Sequence, residues 1–151
     1  MKIIQFEKKE ITGISIRTTN SNEMSPETAK IRKLHQRFDN NIVVDYKSGA
    51  RVYGVYFDYE SDATGEFSVL SGTDGISSTH IEVEKLTLLS GKYLVFEGNG
   101  EMPQAVIDTW MEIWTYFSEE NASNAEYQRA YTTDFEYYKN QNDFEIFISI
   151  K

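Results

Sequence analysis

Near the end of the chain a single acid stands among aromatic residues: in TTDFEYYKN, residues 132–140, Glu136 is flanked by Phe135, Tyr137 and Tyr138. A carboxylate withdrawn from water loses several kcal/mol of solvation unless a partner replaces it. Ring faces attract cations by roughly 0.5–2 kcal/mol per contact. A carboxylate walled by rings therefore suits a ligand that is both apolar and positively charged. The plainer alternative is a glutamate facing solvent from a surface strand. In a strand Glu136 and Tyr138 share one face, and Phe135 and Tyr137 the other. If Phe135 packs toward the helices, Glu136 faces a cleft, and Tyr56, Tyr93 and Phe147 are the aromatic candidates from other strands to line it. Trp110 and Trp114 lie about one helical turn apart, either as plain core or with an indole edge closing the same cleft. Glu97 and Glu145 also neighbour aromatics and read as rim acids.

Other chemistry finds little support. His35 and His80 have neither HExxH nor paired spacing, which argues against zinc and leaves them as boundary residues. There is no GxSxG elbow and no GxxxxGK[ST] loop. The expectation is a binding protein with no catalytic residue, metal or cofactor. Fifteen basic against twenty-four acidic residues leave a net charge of −9 with no Lys or Arg cluster. Direct nucleic-acid binding is disfavoured, because it relies on cations that neutralise phosphates. The absence of cysteine, and an N-terminus MKIIQFEKKE without a long apolar stretch, point to a cytoplasmic chain with no membrane association.

The elements that must position Glu136 follow from periodicity. IIQFEKKEITGISIRTTN reads as a hairpin, and RVYGVYFDYE with EFSVL as another. Between them Ser25 and Pro26 are placed to open a helix whose apolar positions are Ile31, Leu34 and Phe38. The second half repeats the order. STHIEVEKLTLL and KYLVFEG read as a hairpin, Pro103 opens a helix carrying Val106, Trp110, Ile113, Trp114 and Phe117, and DFEYY with DFEIFISI closes on a last hairpin. Anchor positions agree in spacing: Gly13 and Gly91 differ by 78, Pro26 and Pro103 by 77, Phe67 and Phe144 by 77. Coincidence is the alternative, since turn glycines and helix-opening prolines are common. The fold expected is α+β: one domain over 1–151, with two pseudo-symmetric hairpin-helix-hairpin halves, about 1–72 and 79–151, whose antiparallel sheets form a ligand cleft at their junction.

The order of elements and the stretches YGVYFDY (53–59), GKYLVFEGNG (91–100), the Trp110/Trp114 helix, DFEYY (134–138) and EIFISI resemble the GyrI-like effector-binding domains over essentially the whole chain. The resemblance implies a cleft between two similar halves. It also implies a buried acid in a Phe-Glu-x-Tyr-like motif, which carries over to Glu136 between Phe135 and Tyr138. Family members often follow a DNA-binding helix-turn-helix in drug-responsive regulators and bind lipophilic cations. This chain starts straight at a strand and so is similar to the stand-alone type, including integron-associated effector-binding proteins. One departure is Ser149, where the family's last strand commonly carries proline. Three functions are implied. The first is a module for lipophilic cations in drug sensing, sequestration or transcription regulation. The second is a hydrolase of small electrophiles using Glu136 to activate water. The third is an acidic interaction module whose protein partner is a transcription regulator or topoisomerase.

Overall fold

A computed structural model describes all 151 residues. Ten strands and three helices occur in the order β1 (Lys2–Phe6), β2 (Lys9–Thr19), α1 (Asn20–Glu23), α2 (Ile31–Asn41), β3 (Ile42–Val44), β4 (Val52–Phe57), β5 (Glu66–Thr73), β6 (Ile76–Thr79), β7 (Glu84–Leu88), β8 (Gly91–Asn99), α3 (Gln104–Tyr116), β9 (Asp134–Tyr138) and β10 (Asp143–Ser149). Eight strands form one antiparallel sheet in the order β1-β8-β10-β9-β4-β5-β2-β7, while β3 and β6 pair separately. The fold is α+β, with few helices against a large curled sheet.

Each face of the sheet has its own core. In β10, Phe144, Ile146 and Ile148 join Leu94 and Phe96 beneath Trp110 and Ile113 of α3. Leu34 and Phe38 of α2 cover Phe67 and Val69 of β5 on the same side. The other face curls upon itself. There Tyr53, Val55, Tyr93, Phe135 and Phe147 pack with Phe6, Leu86 and Leu88 from the two edge strands. Phe6, on edge strand β1, lies 5.2 Å from the Phe135 ring near the sheet's middle, and Phe135 stacks on Phe147 at 4.4 Å. A half-barrel with a solid aromatic interior results. Its bend is permitted where Gly13 of β2 pairs with Gly72 of β5. A Cβ on Gly13 would lie 2.0 Å from the Ser71 carbonyl oxygen, so no side chain fits there.

Two of the four expected hairpins form, β4-β5 and β9-β10. The other two do not. β1 pairs with β8, matching Ile4 to Tyr93, and β7 pairs with β2, matching Leu86 to Ile11. A short polar turn is a local signal, whereas here each leading strand gains more by covering the outer strand of the other set, which seals the aromatic interior. The second helix also differs from expectation. Ser25 and Pro26 lie in a separate turn in which Ser25 O accepts from Ala29 N at 2.8 Å, and α2 begins at Ile31. Its first N–H groups meet the Glu23 carboxylate, at 2.9 Å from Lys30 N and 3.1 Å from Ile31 N. A carboxylate at a helix N-terminus is favoured by the exposed N–H groups and by the dipole. In the second half α3 follows Pro103 directly, as expected.

Cross-pairing predicts a specific covalent link. Gln5 and Lys92 are Cα partners across β1 and β8, and the chain has no native cysteine. Gln5→Cys with Lys92→Cys will oxidise to an intrachain disulfide, seen as a mobility shift without reductant, and raise stability in urea by about 2–4 kcal/mol over the reduced form. Failure to cross-link under mild oxidation would contradict the β1-β8 pairing.

Candidate functional site

The middle of the sheet is the junction of β4 and β9, where Gly54 pairs with Glu136 and Tyr56 with Asp134. Alternation along β9 sends Asp134, Glu136 and Tyr138 toward the helices and Phe135 into the half-barrel. The expected orientation of Phe135 toward the helices is therefore reversed. Glu136 still faces inward, because α3 and α2 lie on its own side of the sheet.

Glu136 is only 2% exposed. Its Oε2 accepts from the Tyr56 hydroxyl at 2.9 Å and from Trp110 Nε1 at 2.7 Å, and its Oε1 accepts from the Tyr138 hydroxyl at 2.7 Å. These donors come from β4, α3 and β9 respectively, so the carboxylate ties three elements together. Room for it comes from a missing side chain. A Cβ on Gly54 would sit 2.7 Å from Glu136 Oε1 and 3.5 Å from His35 Cε1, which brings His35 of α2 to the same glycine from the other side. His35 Nδ1 is held 2.9 Å from the buried Ser71 hydroxyl. The Tyr56 and Trp110 rings meet edge to face at 5.1 Å. Burial first, and then the charge of Glu136, keep the Tyr56 and Tyr138 hydroxyls protonated well above the ordinary tyrosine range. Both phenols are thus fixed as donors. No Lys, Arg or His nitrogen lies within ion-pair distance of Glu136.

Two residues away on the same face, Asp134 is arranged quite differently. It is fully buried, and its Oδ2 lies 2.7 Å from Arg129 Nη2 and accepts from the Tyr59 hydroxyl at 2.5 Å. Its Oδ1 accepts from both the N–H and the hydroxyl of Ser149, at 2.7 and 2.9 Å. A proline at 149 would have neither donor, which gives the departure noted above a structural role. Arg129 also packs over the Tyr131 ring at 4.3 Å. Burial alone would lower the guanidinium's proton affinity, but Asp134 and Tyr59 outweigh it and hold its pKa above the usual value. Sequence reasoning missed Asp134, Arg129, Gly54 and His35 as part of this region. The available signal was Asp134 at the same strand parity as Glu136.

Of the residues proposed from sequence, Tyr56, Trp110 and Tyr138 meet on Glu136. Trp114 does not touch the acid. It is 46% exposed and lies tilted against Trp110 at 6.1 Å, at the outer edge of the cluster. Tyr93 and Phe147 are on the opposite face, inside the half-barrel, and the Tyr93 hydroxyl is engaged by Leu89 O and Thr133 Oγ1. They are removed from the site because their strand parity matches Phe135 and not Glu136. Glu145 is not a rim acid but a buried one, paired with Lys2 at 3.4 Å and Lys139 at 3.6 Å. No three His, Asp or Glu side chains are grouped to hold a metal ion. An open cleft of about 490 Å³, lined by Tyr46, Arg51, Val52, Tyr138 and Lys139 among others, adjoins the cluster through Tyr138.

Comparison with known proteins gives the family and agrees with the fold. Residues 2–150 match the family described as Cass2, integron-associated effector binding protein. An integron cassette protein from the mobile metagenome of Vibrio cholerae is 43% identical, and the two structures superpose with a TM-score of 0.86 over 99% of this chain and 95% of that one. The Bacillus subtilis (strain 168) protein YobU, a candidate transcriptional regulator, is 26% identical over 145 residues, 90% of this chain and 84% of its own. The structure of SAV2435 bound to tetraphenylphosphonium shares the fold, with a TM-score of 0.67 and 18% identity over 99% of this chain and 93% of that one. No helix is long and apolar enough to cross a membrane.

The two buried acids predict opposite responses to substitution. Arg129→Met strands the Asp134 charge and will destabilise the fold by about 3–5 kcal/mol. Glu136→Gln removes a charge that has no cation and keeps the shape, with the amide oxygen accepting from Tyr56 and Trp110 and the amide N–H donating to the Tyr138 oxygen, so stability will change by less than about 1 kcal/mol. Chemical denaturation at neutral pH checks both, and equal losses would refute the distinction.

Proposed function

The chain belongs to the integron-associated effector binding protein family, and we propose that its effector is a lipophilic organic cation whose charge is met by Glu136. The observation that carries this reading is the contrast between two neighbouring buried acids: Asp134 has Arg129, and Glu136 has only neutral donors. A buried carboxylate held by hydroxyl and indole groups is still short of a counter-charge. A cation supplies it.

Tyr56, Trp110 and Tyr138 form the contact walls, with Trp114 at the outer lip. The same rings close over the acid when the site is empty, so binding exchanges one or more of their hydrogen bonds for a direct charge interaction. Tyr138 borders the open cleft and Trp110 lies beside the exposed Trp114, so these two are the rings best placed to move. Each ring face turned toward the cation contributes roughly 0.5–2 kcal/mol, and apolar burial adds about 25 cal/mol per Å². Neither contribution demands a fixed hydrogen-bond pattern, so flat or bulky organic cations of several shapes will bind and small inorganic ones will not. The solved relative with bound tetraphenylphosphonium supports the ligand class. A role in sensing or sequestering drugs, passed to a transcription regulator as partner, is in keeping with the candidate regulator among its relatives.

Calorimetry with tetraphenylphosphonium tests the reading. Wild type will bind with a dissociation constant near the micromolar range, about −8 kcal/mol. Glu136→Gln will bind at least roughly tenfold more weakly, and neutral triphenylphosphine oxide will not raise the melting temperature of either protein. Equal affinity in wild type and Glu136→Gln would remove Glu136 from the site.

A further inference from the structure

On a chain of net charge −9, the cleft beside Tyr138 is an exception: its side chains include Arg51 and Lys139 but no Asp or Glu. Arg51 is also unusual in what it lacks. Its Nε donates to Lys139 O at 3.2 Å and its Nη1 to Ala50 O at 2.8 Å, which fixes the guanidinium by backbone carbonyls. No carboxylate pairs with it. Asp74 accepts the Arg51 backbone N–H at 2.9 Å, but its other oxygen is taken up by Lys9 at 2.9 Å. Lys139 is drawn toward Glu145 at 3.6 Å. A positioned guanidinium with no anion, bordering an open cleft of about 490 Å³, is a ready partner for a carboxylate or a similar group.

The cleft and the acid share a wall. Tyr138 lines the cleft and places its hydroxyl on Glu136 Oε1 at 2.7 Å, and Val52, which pairs with Tyr138, also lines it. Arg51 stands immediately before β4, three residues ahead of the Gly54 that faces Glu136, a backbone separation of ~10 Å. Resting on the proposed cation site at Glu136, we infer that the natural effector is a zwitterion: an aromatic cation seated at Glu136, carrying an anionic arm that passes Tyr138 and ends on Arg51. A bare lipophilic cation satisfies Glu136 but leaves Arg51 unpaired. An effector with an acidic arm is attracted at both ends.

A matched pair of probes separates this from the simpler reading. Benzyltriphenylphosphonium and (4-carboxybenzyl)triphenylphosphonium differ by one carboxylate, and calorimetry with the full chain gives both affinities. Wild type will prefer the carboxylated cation by roughly tenfold, the scale of one charge-assisted hydrogen bond. Arg51→Gln will abolish that preference while leaving the benzyl cation within about twofold of wild type. Equal or weaker binding of the carboxylated cation by wild type, or a preference that survives Arg51→Gln, overturns the zwitterion inference and leaves the cation site standing. If neither probe binds wild type, the cation site fails and the inference fails with it. Glu136→Gln will weaken both probes, which keeps the two ends of the ligand distinguishable.

Discussion

A carboxylate held away from water without a cation is the constraint around which this structure is organised. Born solvation makes an isolated buried charge very costly, and hydrogen bonds from neutral donors recover only part of that cost. Glu136 gathers three such donors, each from a different element, so its charge acts as a fastening between β4, β9 and α3. Asp134 shows what the complete solution looks like two residues away. With Arg129, Tyr59 and both donors of Ser149, its charge is balanced and its oxygens are occupied. The same strand face therefore carries one acid whose role is structural and one whose requirements are only partly met.

The position of that partly satisfied acid follows from sheet order. β4 and β9 are the two middle strands, with three further strands beyond each, and both longer helices lie on the face to which Glu136 points. The other face offers no room, because Phe135, Phe147, Tyr93, Tyr53 and Phe6 fill the inside of the curl. Pairing of β1 with β8 and of β7 with β2 places Phe6, Leu86 and Leu88 over that interior and closes it. Access to the charge is thereby limited to the helical side, where Trp110 covers Glu136 from α3 and His35 approaches Gly54 from α2. The Glu23 cap matters for the same reason, since it fixes where α2 begins relative to β2 and hence where His35 stands.

Local patterns made much of this legible and long-range ones did not. The β4-β5 and β9-β10 hairpins, the apolar stripe on α3 and the company kept by Glu136 were all written in short stretches. Tyr56, Trp110 and Tyr138 were named as rings lining a cleft, and they meet Glu136 instead through their hydroxyl and indole N–H donors. Tyr93 and Phe147 were misplaced because the register between strands is not written locally: Phe147 pairs with Phe135 and Tyr93 shares that parity. Both rings therefore lie on the face opposite Glu136. The β1-β2 and β7-β8 hairpins failed because strand exchange depends on which outer strand needs covering, a property of the assembled sheet. Pro26 misled because a proline that suits the first helical turn suits an ordinary turn equally well. Gly54 was invisible as a site residue, since its contribution is an absent side chain opposite Glu136.

For the cation proposed at Glu136, the closed shell sets the terms of binding. Tyr56 and Tyr138 stay protonated and Trp110 can only donate, so all three behave as fixed partial positive charges pointed at one carboxylate. They stand in for a cation weakly and at a distance. An incoming ligand is therefore measured against that shell and not against water, and the free energy of binding is the difference between a full charge and three dipoles plus the apolar area covered. Dipoles of this kind have no shape requirement of their own, which favours tolerance toward the form of the cationic end. Discrimination then has to come from outside the shell, where the cleft bordering Tyr138 presents polar side chains and fixed positive charge. On the proposed reading, breadth at Glu136 and selectivity at the cleft are separate properties, set by separate residues.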